Sequence, residues 1–416
     1  MLNDYVRRRY DIWKNRLMKY KNAMDHKRLE RKTVITWSDV IDNCIILYFV
    51  LCFFETYLNG TVGPYLKYYI LGIIVIQFLR YRVTTVRPFH LYMIIWFLLK
   101  LISVLRVDNW YIFNLHLLSQ VGMVALLVTL TNVRSSDRFM NKLINAMWLA
   151  SGVLGALCLM FNESYHGSFT ARQVVVLFGV EDDPNNLAAQ LLPGVTVSLY
   201  HYIYLKRWRY LSVIILAVNC LAIFQTASRG GLVSIFAIIL CIVLLKNNQE
   251  DIKDKLKIII FIILASAVIH HIASNFVAIE SLERIFDFDS YSSGSSRDVI
   301  WGNIIDLIKN NFLFGAGWGA YYGYNGSYHA THNTYLSILS DGGIVGLFLF
   351  CVPIIRIIYK GIKGKYLLPI LILITGLAPS FFIDAINKRF FWNAIIVSIM
   401  LIDTQQENAG ERKTIE

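Results

Sequence analysis

The chain alternates between long apolar runs and shorter polar or charged stretches. Most runs contain about 16–22 residues, which is the length that crosses a bilayer as a helix, and each run ends at charged or turn residues. The pattern therefore predicts an all-α fold, a polytopic membrane bundle of about twelve transmembrane helices. The predicted spans are residues 39–58, 64–80, 89–106, 111–131, 141–161, 185–205, 210–226, 230–246, 257–273, 332–355, 366–383 and 390–403.

Two connections between these spans are long, and both are predicted to lie outside the cell. The first covers residues 162–184 and ends in Glu181, Asp182 and Asp183. The second, residues 274–331, separates the ninth and tenth spans. Long loops in compact membrane proteins are usually functional. We therefore expect the chemistry of this protein to involve these two loops.

The second loop has a recognisable internal pattern. Ser295 and Ser296 can cap a helix over residues 297–310, with Val299, Ile300, Ile304 and Ile308 on one apolar stripe. Residues 315–324 then interleave glycines with tryptophan and tyrosines, which predicts a flexible aromatic turn. Its rings could stack on sugars, or they could form an aromatic belt at the membrane interface.

Composition and charge agree with a membrane protein. The 416 residues are 56% hydrophobic and 16% charged, and the net charge is +12. If the N-terminal tail is cytoplasmic, 30 of the 40 lysines and arginines fall in predicted cytoplasmic segments, as the positive-inside rule requires. The basic excess thus indicates topology and an anionic inner leaflet, and it implies no nucleic-acid partner. The six cysteines all lie in predicted spans without metal-ligand spacing.

These features predict a multi-pass protein of the cytoplasmic (inner) membrane with both termini inside. We expect a basic cytoplasmic tail over residues 1–38, a membrane domain over residues 39–403 and a cytoplasmic C-terminal tail over residues 404–416. The bilayer is the first partner that this organisation implies.

Arg229 is the most informative single residue. It stands between two long apolar runs, separated from them only by Gln225–Ser228 and by Gly230 and Gly231. A guanidinium at a membrane boundary is costly unless an anion compensates it. Ser228 is a good N-cap, so a helix that begins there would point its N-terminal dipole at the same place. This arrangement predicts a phosphate-binding position; the alternative is an arginine that snorkels at a helix end.

Three further residues are candidates on the same face. Arg297 again follows serines at a helix start, although alone it could be a solvated surface residue. His332 enters an apolar span, where a neutral imidazole could act as a base or could be structural. His329 and His332 have a spacing that can bind metal, but no third ligand completes a site. Asp384 lies beside Lys388 and Arg389, where it could form an ion pair or orient a substrate.

These residues, in this order, resemble the bacterial O-antigen ligase and polymerase family of membrane glycosyltransferases. The matching segments are Ser228–Gly231, Ser296-Arg297 with Trp301, Gly315-Ala316-Gly317 and His332–Leu336, together with Asp183-Pro184-Asn185-Asn186. The resemblance covers roughly residues 180–390, and the N-terminal third shares only its hydrophobicity.

The resemblance implies an enzyme that transfers a glycan from a polyprenyl-diphosphate carrier to an acceptor hydroxyl outside the cytoplasmic membrane. By similarity, Arg229 and Arg297 would bind the diphosphate and His332 would activate the acceptor. Asn185, Asn333 and Asp384 would contact substrate. The family implies no metal and no other cofactor, and single displacement would invert the anomeric centre. Polysaccharide-assembly proteins are candidate partners.

Three functions remain open from the sequence. We expect a polymerase for O-antigen or capsule-type polysaccharide, which transfers the glycan to another lipid-linked acceptor. A ligase would use the same chemistry with a lipid A core or another finished acceptor. A lipid-glycan transporter is a further alternative, although its ionisable residues would be expected near the middle of the membrane.

Overall fold

The computed structural model describes residues 36–81, 86–132, 135–164, 172–206, 208–245 and 297–415. The chain divides into two units, Met1–Ile45 and Ile46–Glu416. The first unit is described only from residue 36, and the first helix begins at Trp37. The predicted ninth span at residues 257–273, most of the basic tail, and the expected caps Ser295 and Ser296 lie outside the described residues.

Helices account for most of the described chain. In order they are α1 (Trp37–Leu51), α2 (Glu55–Val62), α3 (Tyr65–Tyr81), α4 (Pro88–Ser103), α5 (Tyr111–Thr131), α6 (Asp137–Met160), α7 (Pro184–Tyr200), α8 (Arg209–Gln225), α9 (Arg229–Leu245), α10 (Arg297–Asn310), α11 (Thr334–Lys363), α12 (Leu367–Leu377) and α13 (Arg389–Ile415). Short 3₁₀ turns, including Cys52–Phe54 and Pro379–Phe381, and a π-helical turn at His201–Leu205 extend several of them.

Each predicted span within the described residues coincides with one of these helical segments, which confirms a helical membrane protein. Five segments are long and apolar enough to cross a bilayer: Trp37–Val62, Pro88–Arg106, Tyr111–Thr131, Asp137–Met160 and Thr334–Lys363. The total of about twelve spans therefore stays a prediction. Helix α13 also continues to Ile415, beyond the boundary at residue 403 that was predicted for the last span.

One element of the described chain was not expected from the sequence. Within the first long loop, β1 (Asn162–Ser164), β2 (Gln173–Leu177) and β3 (Val180–Glu181) form a small antiparallel sheet in the order β1-β2-β3. Val174 and Val175 of β2 are buried. The sheet brings the loop back to Asp182 and Asp183, immediately before α7 begins.

Helix α7 lies at the centre of the second unit and is buried along most of its length. Its Gly194 approaches α6 and α8 so closely that a Cβ there would meet Ser151 and Asn219. The Gly194 amide donates to Ser151 Oγ over 3.1 Å. A second close approach joins α12 to α13, where a Cβ at Gly376 would lie 2.8 Å from that of Ala394. Because α7 is fixed on several sides, its first turn is a rigid position for functional groups.

Helix α11 is interrupted at Gly343, where φ is 63° and ψ is −165°. The chain between α10 and α11 supplies backbone partners at the interruption. Ile344 donates to the Phe312 carbonyl over 2.9 Å, and Val345 donates to that of Leu313 over 3.2 Å. A Cβ at Gly343 would lie 2.4 Å from the Leu313 carbonyl, so glycine is required there. The unwound backbone is thus satisfied by protein, as an apolar environment demands.

Two expectations about the second loop need correction. The glycine-rich segment is packed rather than flexible: Trp318 and Tyr321 are buried, and a Cβ at Gly317 would lie 2.6 Å from the Ser103 carbonyl oxygen. These two rings are therefore not available to stack on a sugar. In α10, which has the predicted bounds, Val299 is 68% exposed, and Leu307 instead joins the buried isoleucines of the stripe.

Candidate active site

The first turn of α9 presents Arg229. Ser228 caps this helix as predicted, because its Oγ accepts a hydrogen bond from the Gly231 amide over 3.2 Å. The two glycines that follow Arg229 permit close packing. A Cβ at Gly230 would lie 2.7 Å from that of Phe382, and one at Gly231 would lie 2.9 Å from that of Ala188. The Ser-Arg-Gly-Gly sequence therefore places a half-buried arginine at a tightly packed helix N-terminus.

The start of α7 is bound directly to the start of α9. Asp183 caps α7 through its Oδ1, which accepts from the amides of Asn185 and Asn186 over 2.8 and 3.2 Å. Asn185 Oδ1 accepts from Ser228 Oγ over 2.9 Å, and also from the Arg172 guanidinium over 2.9 Å.

Arg172 adds a second connection between these elements. Its Nε donates to the Thr226 carbonyl over 2.9 Å, within the turn that precedes Arg229. The Arg172 side chain is 6% exposed. From the sequence, Arg172 is one of the few basic residues outside the predicted cytoplasmic segments, and no motif marks it. Its position shortly before the acidic end of the first loop was the one available signal for this role.

The start of α10 is bound to the segment that precedes α11. Arg297 is the first residue of α10, and it is half-buried. One turn later, Trp301 Nε1 donates to the Thr331 carbonyl over 2.9 Å. The histidine that follows Thr331 is therefore held next to the helix that carries Arg297.

His332 has an unusual backbone conformation. Its φ of 50° lies in the left-handed region, which is uncommon for residues other than glycine and occurs where the surrounding structure enforces it. The next residue, Asn333, is the N-cap of α11, and its Oδ1 accepts from the amides of Tyr335 and Leu336 over 3.0 and 3.1 Å. Asn333 thus has a structural contact, and its binding of substrate stays a prediction.

The electrostatic interactions of Arg297 and His332 indicate that Arg229, Arg297, Asp183 and His332 lie close to one another. Burial lowers the pKa of Arg297, the Asp183 carboxylate opposes this shift, and the Arg229 charge adds to it. Burial likewise lowers the pKa of His332 below its usual 6.5; Arg297 and His329 add to this shift and Asp183 opposes it. We call Arg229, Arg297, His332 and Asp183 the arginine–histidine site.

Four helix N-termini meet at this site, those of α7, α9, α10 and α11. Each terminus carries a partial positive charge from the helix dipole, which favours an anion. Among the residues that the structure describes, the site contains two arginines and one carboxylate, so the sum of these charges is positive. The imidazole is neutral at pH 7 because its pKa is lowered. The arrangement can bind a diphosphate and accept a proton beside it.

Asp384 belongs to a neighbouring group of residues. Its Oδ2 accepts from Ser337 Oγ over 3.2 Å and from the Tyr321 hydroxyl over 3.4 Å. Burial raises the pKa of Asp384 to about 6. Thr334 binds the backbone on both sides of Asp384, since its Oγ1 donates to the Ile383 carbonyl over 2.8 Å and accepts from the Ala385 amide over 2.7 Å. Asp384 therefore lies beside the first turns of α11, and its contact with substrate stays a prediction.

An ion pair lies deeper along α11. Lys100 Nζ of α4 is 3.0 Å from Asp341 Oδ2, and both side chains are almost fully buried. The ammonium also lies 4.6 Å from the centre of the Trp318 ring, and the Gly319 amide donates to Asp341 Oδ1 over 2.9 Å. We call Lys100 and Asp341 the buried ion pair. Among the residues that the structure describes, no group of three His, Cys, Asp or Glu side chains could hold a metal ion.

Comparison with known protein families gives a match. Residues 211–351 match the family model described as O-antigen ligase, a stretch that contains Arg229, Arg297, His332 and Asn333. A comparison with curated proteins found no match. The match supports a membrane protein of the O-antigen ligase and polymerase family, and it confirms the resemblance seen in the sequence. Members of this family are glycosyltransferase-like enzymes of polysaccharide biosynthesis.

Proposed function

We propose that this protein is a polysaccharide polymerase of the O-antigen or capsule type. It takes a glycan from a polyprenyl-diphosphate donor and transfers it to a sugar hydroxyl of a lipid-linked acceptor on the outer face of the cytoplasmic membrane. The observation that carries the proposal is the meeting of Arg229, Arg297 and His332 at four helix N-termini, where the described residues carry more positive than negative charge.

The diphosphate is the leaving group, so the protein has to stabilise the negative charge that develops on it. Arg229 and Arg297 donate charge-assisted hydrogen bonds to its oxygens, each contributing about 1.5–3 kcal/mol. The four helix N-termini add fixed dipoles of the same sign. Asp183 holds Arg297 within this group without cancelling the positive balance.

His332 acts as the general base in this mechanism. Its neutral imidazole removes the proton from the attacking hydroxyl, whose oxygen forms the new bond to the anomeric carbon as the bond to the diphosphate breaks. Arg172 and Asn185 keep the starts of α7 and α9 in register. A single displacement gives a product with inverted anomeric configuration, and a retained configuration would contradict the mechanism.

A ligase is the second candidate, because the matched family is described as O-antigen ligase. The two functions share the donor and the base and differ in the acceptor. The test is to supply the purified protein, in nanodiscs, with lipid-linked repeats and no other acceptor. A ladder of longer lipid-linked products supports the polymerase. Transfer only after a finished lipid acceptor is added supports the ligase, and no transfer in either mixture contradicts both.

A further inference from the structure

A polar cavity lies beside the arginine–histidine site and has no role in the mechanism above. Its volume is about 240 Å³. Its walls come from the end of α1 with α2, from the start of α7 with the residues before it, and from the start of α13. Lys388, which forms part of the wall, is exposed, so the cavity reaches the protein surface there.

The charged groups of this cavity balance one another. Glu55 forms an ion pair with Arg389. Asp182 receives hydrogen bonds from Thr56 Oγ1 and Gln190 Nε2, each over 2.9 Å. Burial raises the pKa of Asp182, whereas the Lys388 charge lowers it. A cavity with balanced charges does not attract a phosphate, so it differs in kind from the arginine–histidine site.

Two polar atoms on the wall have no hydrogen-bond partner. They are Arg389 Nε, on a side chain that is 5% exposed, and Asn59 Oδ1. One is a donor and the other an acceptor. Buried polar groups of this kind cost free energy unless a partner satisfies them. Because both atoms are fully buried within the wall, a ligand with hydroxyl groups would bind the other polar side chains of the lining, which include Asn186, Gln190 and Asn387.

The size of the cavity limits what it can hold. An engineered apolar cavity of about 150 Å³ holds benzene, so a cavity of about 240 Å³ has room for one six-membered ring with substituents. It is smaller than the pockets of about 300–1,000 Å³ that hold drug-sized ligands. An oligosaccharide or a lipid chain would not fit inside it.

The cavity and the arginine–histidine site share a wall. Asp182 and Asn186 line the cavity. Between them in sequence, Asp183 interacts with Arg297 and His332, and Asn185 binds Ser228. The segment 182–186 thus presents Asp182 and Asn186 to the cavity, and Asp183 and Asn185 to the arginine–histidine site. Only the backbone of this segment would separate a ring held in the cavity from the groups that bind the diphosphate.

We propose that this cavity is a subsite for one uncharged, hydroxyl-rich sugar residue of the glycan substrate. The inference rests on the proposed function, because it places the ring next to the reacting diphosphate. The sugar can come from the acceptor or from the donor glycan, since both present the same hydroxyl chemistry. Hydrogen bonds from the cavity wall would then fix the sugar that lies next to the new linkage.

Three substitutions on opposite walls test the subsite. Thr56→Val and Asn59→Leu on α2, and Gln190→Leu on α7, remove hydrogen-bonding groups with little change of volume. Gln77→Leu in α3 is the matched control, because Gln77 is equally polar, is buried, has an unpartnered amide oxygen and lies outside the cavity. Thermal unfolding of each purified variant shows whether it folds.

Kinetics are measured in nanodiscs with lipid-linked repeats as donor and diphosphate-free repeat oligosaccharide as acceptor, each varied in turn. We expect each cavity variant to raise one KM about 3- to 10-fold, the effect of losing one hydrogen bond, with kcat nearly unchanged. A rise in the acceptor KM assigns the acceptor sugar, and a rise in the donor KM assigns the donor sugar. Unchanged KM values, or a fall in kcat alone, overturn the subsite.

A binding measurement separates this inference from the proposed function. Saturation-transfer NMR with the diphosphate-free oligosaccharide and no donor should show binding to the wild type and to Gln77→Leu, and weaker binding to Asn59→Leu. If the wild type transfers glycan but the cavity variants match the control in both measurements, the subsite is wrong and the proposed function stands. If the wild type neither transfers glycan nor binds the oligosaccharide, both fail.

Discussion

The arginine–histidine site and the buried ion pair are both groups of charged residues near α11: His332 lies just before this helix, and Asp341 lies within it. Their charges are organised in opposite ways. In the buried ion pair, one cation faces one carboxylate at 3.0 Å, and Trp318 and the Gly319 amide complete its contacts. The arginine–histidine site is half-buried, and the described charges in it are those of two arginines and one carboxylate. Matched charges with complete contacts stabilise a fold, whereas an excess of one sign at a partly open position favours a ligand of the other sign.

Substitution of His332 should have the largest effect of the changes considered for the two groups, and it should act on the rate of glycan transfer. His332→Asn removes the base, so we expect the transfer rate to fall by about 10²–10⁴-fold while the protein folds and binds donor as before. The measurement is single-turnover transfer with saturating lipid-linked donor. His329→Asn is the control, because His329 is exposed and should leave the rate near that of the wild type. An unchanged rate for His332→Asn would remove the base assignment.

Substitutions in the buried ion pair should lower the stability of the protein. Lys100→Met leaves the Asp341 carboxylate buried without its cation, which costs about 3–5 kcal/mol of unfolding free energy. Denaturation of the purified protein in mixed micelles measures this loss. The double variant Lys100→Met/Asp341→Asn removes the unpaired charge and should recover part of it. A single variant as stable as the wild type would show that the pair contributes little.

Diphosphate binding by the arginines of the site should depend on the shape of the side chain as well as on its charge. Arg229→Lys keeps the charge but loses the planar fork that binds two phosphate oxygens. The loss of one charge-assisted hydrogen bond, about 1.5–3 kcal/mol, corresponds to a decrease of roughly 10- to 150-fold in kcat/KM for the donor. Arg138→Lys, at an exposed position of α6, is the matched control. Equal kcat/KM values for Arg229→Lys and the control would contradict diphosphate binding by Arg229.

The pH dependence should give the smallest effect. The pKa of His332 is lowered from 6.5, so the imidazole stays neutral and active as the pH falls from 7 to 6.5. We therefore expect kcat/KM to fall only below pH 6.5, as the imidazole takes up a proton. Asp384 could produce a similar decline, because its pKa is raised to about 6. The decline should persist in Asp384→Asn; its loss in that variant would assign it to Asp384.

The sequence predicted the helices of the described chain because long apolar runs favour membrane helices, but it did not predict the polar extension of α13 to Ile415. It also predicted the start of α9, where Ser228 caps the helix and Arg229 follows. It did not predict the small sheet, since β2 contributes only five residues to a loop whose pattern is otherwise polar. Such short strands form because of their pairing and packing rather than their own propensity.

Close packing explains most of the remaining differences. Glycines at 315, 317 and 319 fit a ligand-binding turn as well as a tightly packed one, and only the neighbours at Ser103, Ile112 and Asp341 distinguish the two. Asp183 was recognised as part of a motif, but its interaction with Arg297 and His332 depends on how α7, α10 and α11 converge. The roles proposed for Asn185, Asn333 and Asp384 remain predictions for the same kinetic assays.

The interruption of α11 at Gly343 has a mechanical consequence. In a continuous α-helix, each added residue rotates everything beyond it by about 100° about the axis. Because the helical path stops at Gly343, and the backbone of Phe312 and Leu313 holds the chain there, the angular setting of His332 is separated from that of residues 344–363. The direction of the imidazole is therefore set by the chain before Gly343 and does not depend on the helical phase of residues 344–363.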